Sequence, residues 1–165
     1  MAGKPHEEAI KTVFASLSIA EIEILVAETG MEDTKTIARL GGDLYQGVLE
    51  GSRQLAGTYD LFIVSNCQAG YIENFLTLNR LGGLFKDFYC WGNIGQSKHL
   101  NTNNLIARNN LKNSVFVGDT SSDFEAANCC SIPFIQMTYG FGYPIAGCMQ
   151  AGSFSGLLTL IDSYD

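Results

Sequence analysis

The chain has 165 residues, which is enough for one domain with a sizeable core and too few for two ordinary domains. It carries 17 acidic and 10 basic residues and a formal charge of -7, so the composition excludes the basic surface that a nucleic acid would need. Acidic residues stand at the amino terminus where a secretory signal would have its apolar segment, and we expect a cytoplasmic protein.

The cysteines and the uncharged carboxyl-terminal stretch exclude further classes. Five cysteines without CxxC spacing or paired histidines predict reduced thiols rather than a zinc site or a disulfide framework. Residues 126–161 carry no charge, but prolines, glycines and glutamines interrupt them. We therefore expect no membrane partner.

The first 42 residues predict helices and no strand. Pro5 favours a helix start, and apolar residues follow at helical spacing. Ser18 and Glu21 have the spacing of a capping box for a second helix, which Gly30 is expected to end. A third helical piece is expected around residues 35–40.

The rest of the chain predicts alternating helices and strands. Strands are expected at residues 60–66, 113–118 and 132–137, and a short strand or extended loop at 85–91. Helices are expected at 47–55, 71–81, from 97, after 119 and at 154–161. This alternation is typical of an α/β fold, a Rossmann-like parallel sheet with helices on both faces.

The most informative stretch is residues 113–127, in which a short apolar strand ends in Gly-Asp and a helix follows at once. Asp119 is expected at the carboxyl end of the strand and Asp123 in the first helical turn. Two carboxylates at a sheet edge suit a hard cation such as Mg²⁺. The alternative is ordinary turn chemistry with an acid at a helix amino terminus, where the helix dipole favours it.

Three motifs occur in a recognisable order: residues 61–66, then Lys98, then residues 117–123. Together with residues 44–48 and 139–142, they resemble the haloacid dehalogenase superfamily of Mg²⁺-dependent hydrolases, in particular the phosphoglycolate-phosphatase-like members with a helical cap. The resemblance implies a partial helical cap at residues 1–42 and an α/β core at residues 43–165. It also implies a small phosphorylated metabolite as substrate.

The resemblance assigns roles to five residues. Ser65 and Asn66 would bind the substrate phosphate, Lys98 would neutralise charge on phosphate and nucleophile, and Ser65 and Lys98 would be the catalytic residues present. Asp119 would hold Mg²⁺ with Asp123 in support. As isolated features, Ser65 fits a helix cap and Lys98 a solvated helix start equally well.

One departure from the family pattern changes the expected activity. The family nucleophile is the first Asp of an Asp-x-Asp pair after the first core strand, and these 165 residues contain no Asp-x-Asp. One hypothesis is a truncated family enzyme that is inactive as this chain, with weak or absent Mg²⁺ binding. The second is a non-catalytic protein that binds a phosphate ligand or another protein. A third, less favoured, is a substitute nucleophile.

The missing strand also affects the expected sheet. In the family it lies between the strand of Ser65 and the strand of Asp119. Facing rows of buried, unpaired backbone groups would cost about 1 to 3 kcal/mol each. We therefore expect the two strands to close up and pair directly in parallel. The alternative is a strand from a second chain and self-association through the incomplete sheet.

Overall fold

A computed structural model describes residues 3–163. Two helices come first, α1 (His6–Val13) and α2 (Ile19–Leu40). The predicted capping box opens α2: the Ser18 N–H donates to Glu21 Oε2 at 2.8 Å, and the Glu21 N–H donates to Ser18 Oγ at 3.4 Å. These bonds satisfy amide donors that have no partner inside the helix.

Helix α2 is longer than predicted, because Gly30 does not end it. The helix runs 22 residues to Leu40, and Gly41, with a φ of 68°, is the residue that terminates it. An interior glycine costs only about 1 kcal/mol relative to alanine, and packing of α2 against α1 and the core offsets that cost. The expected separate helix at residues 35–40 is therefore the last part of α2.

The α/β part follows the predicted alternation closely. Its elements are α3 (Val48–Ala56), β1 (Leu61–Ser65), α4 (Tyr71–Leu78), β2 (Phe85–Cys90), α5 (Trp91–Ile94), α6 (Lys98–Asn109), β3 (Phe116–Gly118), α7 (Ser121–Cys129), β4 (Phe134–Met137), β5 (Met149–Ala151) and α8 (Phe154–Asp162). Strand β5, which has three residues and lies in a glycine-rich region, was not predicted from the sequence. The expected boundary after residue 42 falls in the segment between α2 and α3.

All strand pairs are parallel, as predicted, but the strands form two sheets rather than one. Within residues 3–163, β1 pairs with β2, and β4 lies between β3 and β5. The expected direct pairing of β1 with β3 is wrong. Each of these two strands has one edge that no backbone ladder occupies in the described part of the chain.

Two observations explain why β1 and β3 stay apart. Every residue of β1 is only half-buried, and Val117 in β3 is 37% exposed, so water reaches both strands. The free-energy cost of unpaired backbone N–H and C=O groups, which was expected to force the two strands to pair, applies only to groups that are shielded from water. Helix α6 also packs against β1 and β2 on one side and α7 on the other, which fixes the spacing of the two sheets.

Each sheet has its own apolar core. One contains buried residues of α4 and β2, including Ile72, Leu76 and Cys90. The other joins β4 and β5 to α8, and includes Ile135 and Leu157. Among the described residues, every helix is too short or too polar to cross a membrane.

Candidate active site

The turn between β3 and α7 forms the centre of the site. Asp119 follows β3 directly, and Thr120 is the N-cap of α7. The Asp123 carboxylate closes a capping box: its Oδ2 accepts from Asp119 N at 3.2 Å, Thr120 N at 2.9 Å and Thr120 Oγ1 at 2.7 Å. A Cβ at position 118 would overlap the Asp123 side chain, so glycine at the end of β3 allows this approach. The motif fixes the backbone around Asp119.

Lys98 forms a buried ion pair with the second oxygen of the same carboxylate. Lys98 Nζ lies 2.7 Å from Asp123 Oδ1, and each side chain is 9% exposed. Burial alone raises the pKa of Asp123, but the charge of Lys98 and the hydrogen bonds from Lys98 and Thr120 outweigh it, so the pKa lies below its usual value. Because an ammonium group has three N–H donors, Lys98 keeps donors for an anion beside the turn.

Asp119 has a different environment from Asp123. Its Oδ2 accepts a hydrogen bond from Phe141 N at 2.7 Å, and its backbone carbonyl accepts one from Gln136 Nε2 at 3.2 Å. Within the described chain, no hydrogen bond or ion pair to Asp119 Oδ1 is found. One carboxylate oxygen therefore remains for another ligand.

Ser65 and Asn66 lie at the carboxyl end of β1. Ser65 Oγ accepts from Cys67 N at 3.2 Å, which leaves the hydroxyl hydrogen for an acceptor such as a phosphate oxygen. Asn66 Nδ2 donates to the Gly3 carbonyl at 2.6 Å and contacts Ser122 Oγ at 3.4 Å, whereas Asn66 Oδ1 is buried and has no partner in residues 3–163. The Asn66–Ser122 contact links the carboxyl ends of β1 and β3.

The structure brings four of the five predicted site residues into one connected network. Asn66 contacts the first turn of α7, in which Asp123 joins Lys98 to the backbone of Asp119. Ser65 is adjacent to Asn66 in sequence, but no hydrogen bond from its side chain to Lys98 or Asp119 is found in the part of the chain described. The roles assigned to these residues stay predictions.

The donor set fits Mg²⁺ only in part. Among the described residues, no group of three or more His, Cys, Asp or Glu side chains could hold a metal ion. Asp123 already has a donor on each oxygen, which favours a role in orienting Lys98 and Thr120 over contact with a metal. Asp119 offers one oxygen, and Mg²⁺ is normally held by one or two carboxylates together with substrate phosphates and water.

Three groups near Asp119 were not identified from sequence: Thr120, the Phe141 amide and Gln136. Thr120 and Asp123 have capping-box spacing, which is a local signal of their contact. Gln136 is a polar residue inside an apolar strand, and such a residue needs a buried partner. The Phe141 contact depends on loop geometry and has no comparable signal.

These observations define an α/β protein of parallel strands with a carboxylate and a buried lysine at the carboxyl ends of its strands, where open sheets bind ligands. The model of the haloacid dehalogenase-like hydrolase family matches residues 1–137. The chain belongs to this family. A search of curated proteins finds no match.

Solved structures show the same fold. A predicted phosphatase from Clostridium acetobutylicum is similar with a TM-score of 0.82 and 18% identity, over 98% of this chain and 78% of that one. A predicted phosphoglycolate phosphatase from Haemophilus somnus has a TM-score of 0.76 and 22% identity, over 88% of this chain and 68% of that one. A hydrolase of this family from Bacillus subtilis, described as bound to magnesium, has a TM-score of 0.73 and 15% identity, over 95% of this chain and 79% of that one.

Proposed function

We propose that this chain carries the phosphate-binding and metal-binding part of a Mg²⁺-dependent phosphomonoester hydrolase acting on a small phosphorylated metabolite. The observation that supports this most is the buried Lys98–Asp123 pair beside the β3–α7 turn. Through Asp123 this buried, fixed cation is joined to the backbone of Asp119, whose carboxylate has a free oxygen. Such an arrangement suits phosphoryl transfer, which depends on positioning and on neutralising the charge of three oxygens. The family membership agrees with it.

The proposed roles follow the chemistry of each group. Ser65 donates its hydroxyl hydrogen to a phosphate oxygen, and Lys98 uses its remaining N–H groups for the same anion. The Asn66 amide contributes once it is released from the Gly3 carbonyl. Mg²⁺, when bound at Asp119, supplies charge neutralisation at the phosphate. Its affinity for this chain alone is expected to be weak, since Asp119 offers one oxygen.

Phosphate binding by the chain can be tested without turnover. Inorganic phosphate is titrated into ¹⁵N-labelled protein, and shifts are expected in the amides of Ser65, Asn66 and Lys98. Ser65→Ala should weaken the affinity about 2- to 10-fold, the equivalent of one hydrogen bond. The matched control is Ser155→Ala, on the exposed face of α8. Equal affinities of the Ser65 and Ser155 variants would remove Ser65 from the proposed site.

Hydrolysis by these 165 residues alone is not expected. The sequence has no Asp-x-Asp, and loss of a nucleophile removes the covalent route, which costs roughly a million-fold in rate in a serine protease. With an aryl phosphate and Mg²⁺, no turnover should be detected. Turnover that disappears in Asp119→Asn would identify a substitute nucleophile and overturn this part of the proposal.

A second proposal concerns the unpaired edges of β1 and β3. Their half-exposed apolar residues are suited to pairing with an added strand, and we propose that the edges accept one from a second copy of the chain. Sedimentation equilibrium should then show concentration-dependent dimers. A monomer at all concentrations up to about 1 mM, where even weak association is detected, would contradict it.

Fusing an amino-terminal segment of roughly 30 residues, an apolar strand ending in Asp-x-Asp with its crossover, separates the two functional hypotheses. For a hydrolase, the fusion should gain Mg²⁺-dependent turnover and lose self-association. A protein that has become a phosphate-binding or interaction protein should bind phosphate but stay inactive. An Asp→Asn change at the first Asp of the added pair is the control.

The cytoplasmic location remains part of this proposal. The described cysteines are all free thiols, as a reducing compartment would keep them. Fractionation of cells with an antibody against the chain would test the location.

A further inference from the structure

Gln136 occupies an unusual position for a polar side chain. It lies in the middle of β4, between β3 and β5, and is 0% exposed, whereas its strand neighbours Ile135 and Met137 belong to the apolar core. A buried amide is costly unless its donors and acceptors are satisfied. The partners of Gln136 therefore indicate what the residue contributes.

All hydrogen-bonding capacity of the Gln136 side chain is used: three bonds go to the loop after β4 or to the site, and the fourth comes from Gln150 in β5. Its Nε2 donates to the carbonyls of Tyr143 at 2.8 Å and Asp119 at 3.2 Å. Its Oε1 accepts from Ile145 N at 2.8 Å and from Gln150 Nε2 at 3.3 Å. One side chain thus connects the loop to the residue proposed to hold Mg²⁺.

The tip of the same loop also contacts Asp119 directly. The Phe141 N–H donates to Asp119 Oδ2 at 2.7 Å. The backbone of Gly142 is so close to Asp119 that a Cβ there would overlap the Asp119 carbonyl oxygen. Two of the side chains in this loop, Phe141 and Tyr143, are 77% and 91% exposed and provide little burial to hold it. Gln136 holds the second half of the loop at two points, the Tyr143 carbonyl and the Ile145 N–H, while Gln150 and Cys148 bind the Ile145 carbonyl.

We propose that Gln136 is a positioning residue. It fixes residues 139–145 against Asp119, so that the Phe141 amide occupies Oδ2 and directs Oδ1 toward a metal or substrate. The mechanism is indirect, since Gln136 reaches the Asp119 backbone and the loop but not the carboxylate. The loop attachment follows from the geometry alone, and the effect on a metal rests on the proposed function.

The test compares amide hydrogen exchange in wild type and Gln136→Met, which keeps the side-chain length and removes the amide. The Phe141 and Ile145 amides should exchange at least about 10-fold faster in the variant, the equivalent of about 1.4 kcal/mol. The control is Leu105→Ala in α6, which lowers global stability without touching the loop, and should leave local exchange at these two amides unchanged. Unchanged exchange of both amides in Gln136→Met would overturn the proposal.

A second variant covers the case in which Gln136→Met does not fold. Gly142→Ala forces the loop tip away from Asp119 and leaves Gln136 intact. The Phe141 amide should lose protection in this variant, while Ile145, bonded to Gln136, keeps it. If Ile145 loses protection equally, the tip rather than Gln136 holds the loop, and the proposal is wrong.

Metal binding supplies a readout that a purely structural role would not change. Mn²⁺ is titrated against each variant and followed by paramagnetic broadening near Asp119. Gln136→Met should weaken Mn²⁺ binding about 5-fold or more, whereas Leu105→Ala should not. If wild type shows no broadening near Asp119, the proposed metal site fails, and the exchange experiment still decides the role of Gln136. If wild type binds and both variants bind equally well, positioning by Gln136 is refuted.

Discussion

Strands β1 and β4 have similar sequences and different surroundings. Both are short and largely apolar, and the carboxyl end of each leads into residues that contact the site. All four residues of β4 are buried, whereas all five residues of β1 are half-buried. The difference lies in their neighbours, because within residues 3–163 β4 has a strand on each side and β1 has a strand on one side only. An apolar strand is therefore stabilised by its position in the sheet as much as by its composition.

Each sheet nevertheless has its own apolar core, and the connection between the sheets is largely made by α6 and the turn before α7. Single substitutions distinguish whether stability depends on this connection, on the buried strand or on the exposed edge.

The largest effect is expected from the ion pair that connects α6 to α7. Lys98→Met leaves Asp123 buried without its cation and should reduce the free energy of unfolding by about 3 to 5 kcal/mol, measured by urea denaturation. The double variant Lys98→Met/Asp123→Asn removes both charges and should recover part of that loss. Equal stability of Lys98→Met and wild type would show that the pair does not connect the sheets.

The comparison of β1 with β4 can be tested with one residue type. Ile135→Ala in β4 should cost about 2 to 5 kcal/mol, because Ile135 is fully buried. Ile63→Ala in β1 should cost less, because Ile63 is only partly buried and its methyl groups lose less contact with water on folding. Equal losses in urea denaturation would mean that β1 is covered in solution, for example by a second copy.

Acid should weaken the connection between the sheets before it affects either strand. Because the folded pKa of Asp123 lies below its unfolded value, its contribution is present above the unfolded pKa, near 4, and is lost as the pH falls through the folded pKa. Between pH 5 and pH 3, wild type should lose more stability than Asp123→Asn. If the urea midpoints of wild type and Asp123→Asn fell by the same amount over this pH range, the acid sensitivity would be due to other carboxylates.

The smallest effect on stability is expected at the exposed edge. Val117→Lys places a charge at a position that is 37% exposed, so the free energy of unfolding should change by less than about 0.5 kcal/mol. The same change should abolish dimers formed through β3, because charged residues block edge pairing. Val13→Lys, on α1, is the control, and dimerisation that survives Val117→Lys would locate the interface elsewhere.

Local signals in the sequence were sufficient for most elements. The Ser18–Glu21 capping box and the Gly118–Asp119 turn each specify a helix start through contacts within a few residues. The end of α2 was misplaced because packing overrides the weak preference of Gly30, and β5 was missed because three residues carry little periodicity. Both errors arise where contacts between residues distant in sequence determine the local structure.

The proximity of the candidate residues was predictable from the sequence and their geometry less so, while their roles stay predictions. The order of the three sequence motifs predicted that Lys98, Asp119 and Asp123 lie close together, as they do in the hydrogen-bond network of the structure. It did not show that both Asp123 oxygens are already occupied, or that β1 and β3 stay apart. Both depend on how water and side chains satisfy polar groups in three dimensions.

The separation of the two sheets has a consequence for folding. Residues 61–109 contain β1, α4, β2 and α6, and residues 116–162 contain β3, α7, β4, β5 and α8, so each sheet is built from one continuous stretch of chain. Contacts between residues close in sequence form quickly, since little loop-closure entropy is lost. Each stretch can therefore assemble by itself, with docking through α6 and α7 as the later step. The chain would then fold as two cooperative units, and the ligand site would appear only when they meet.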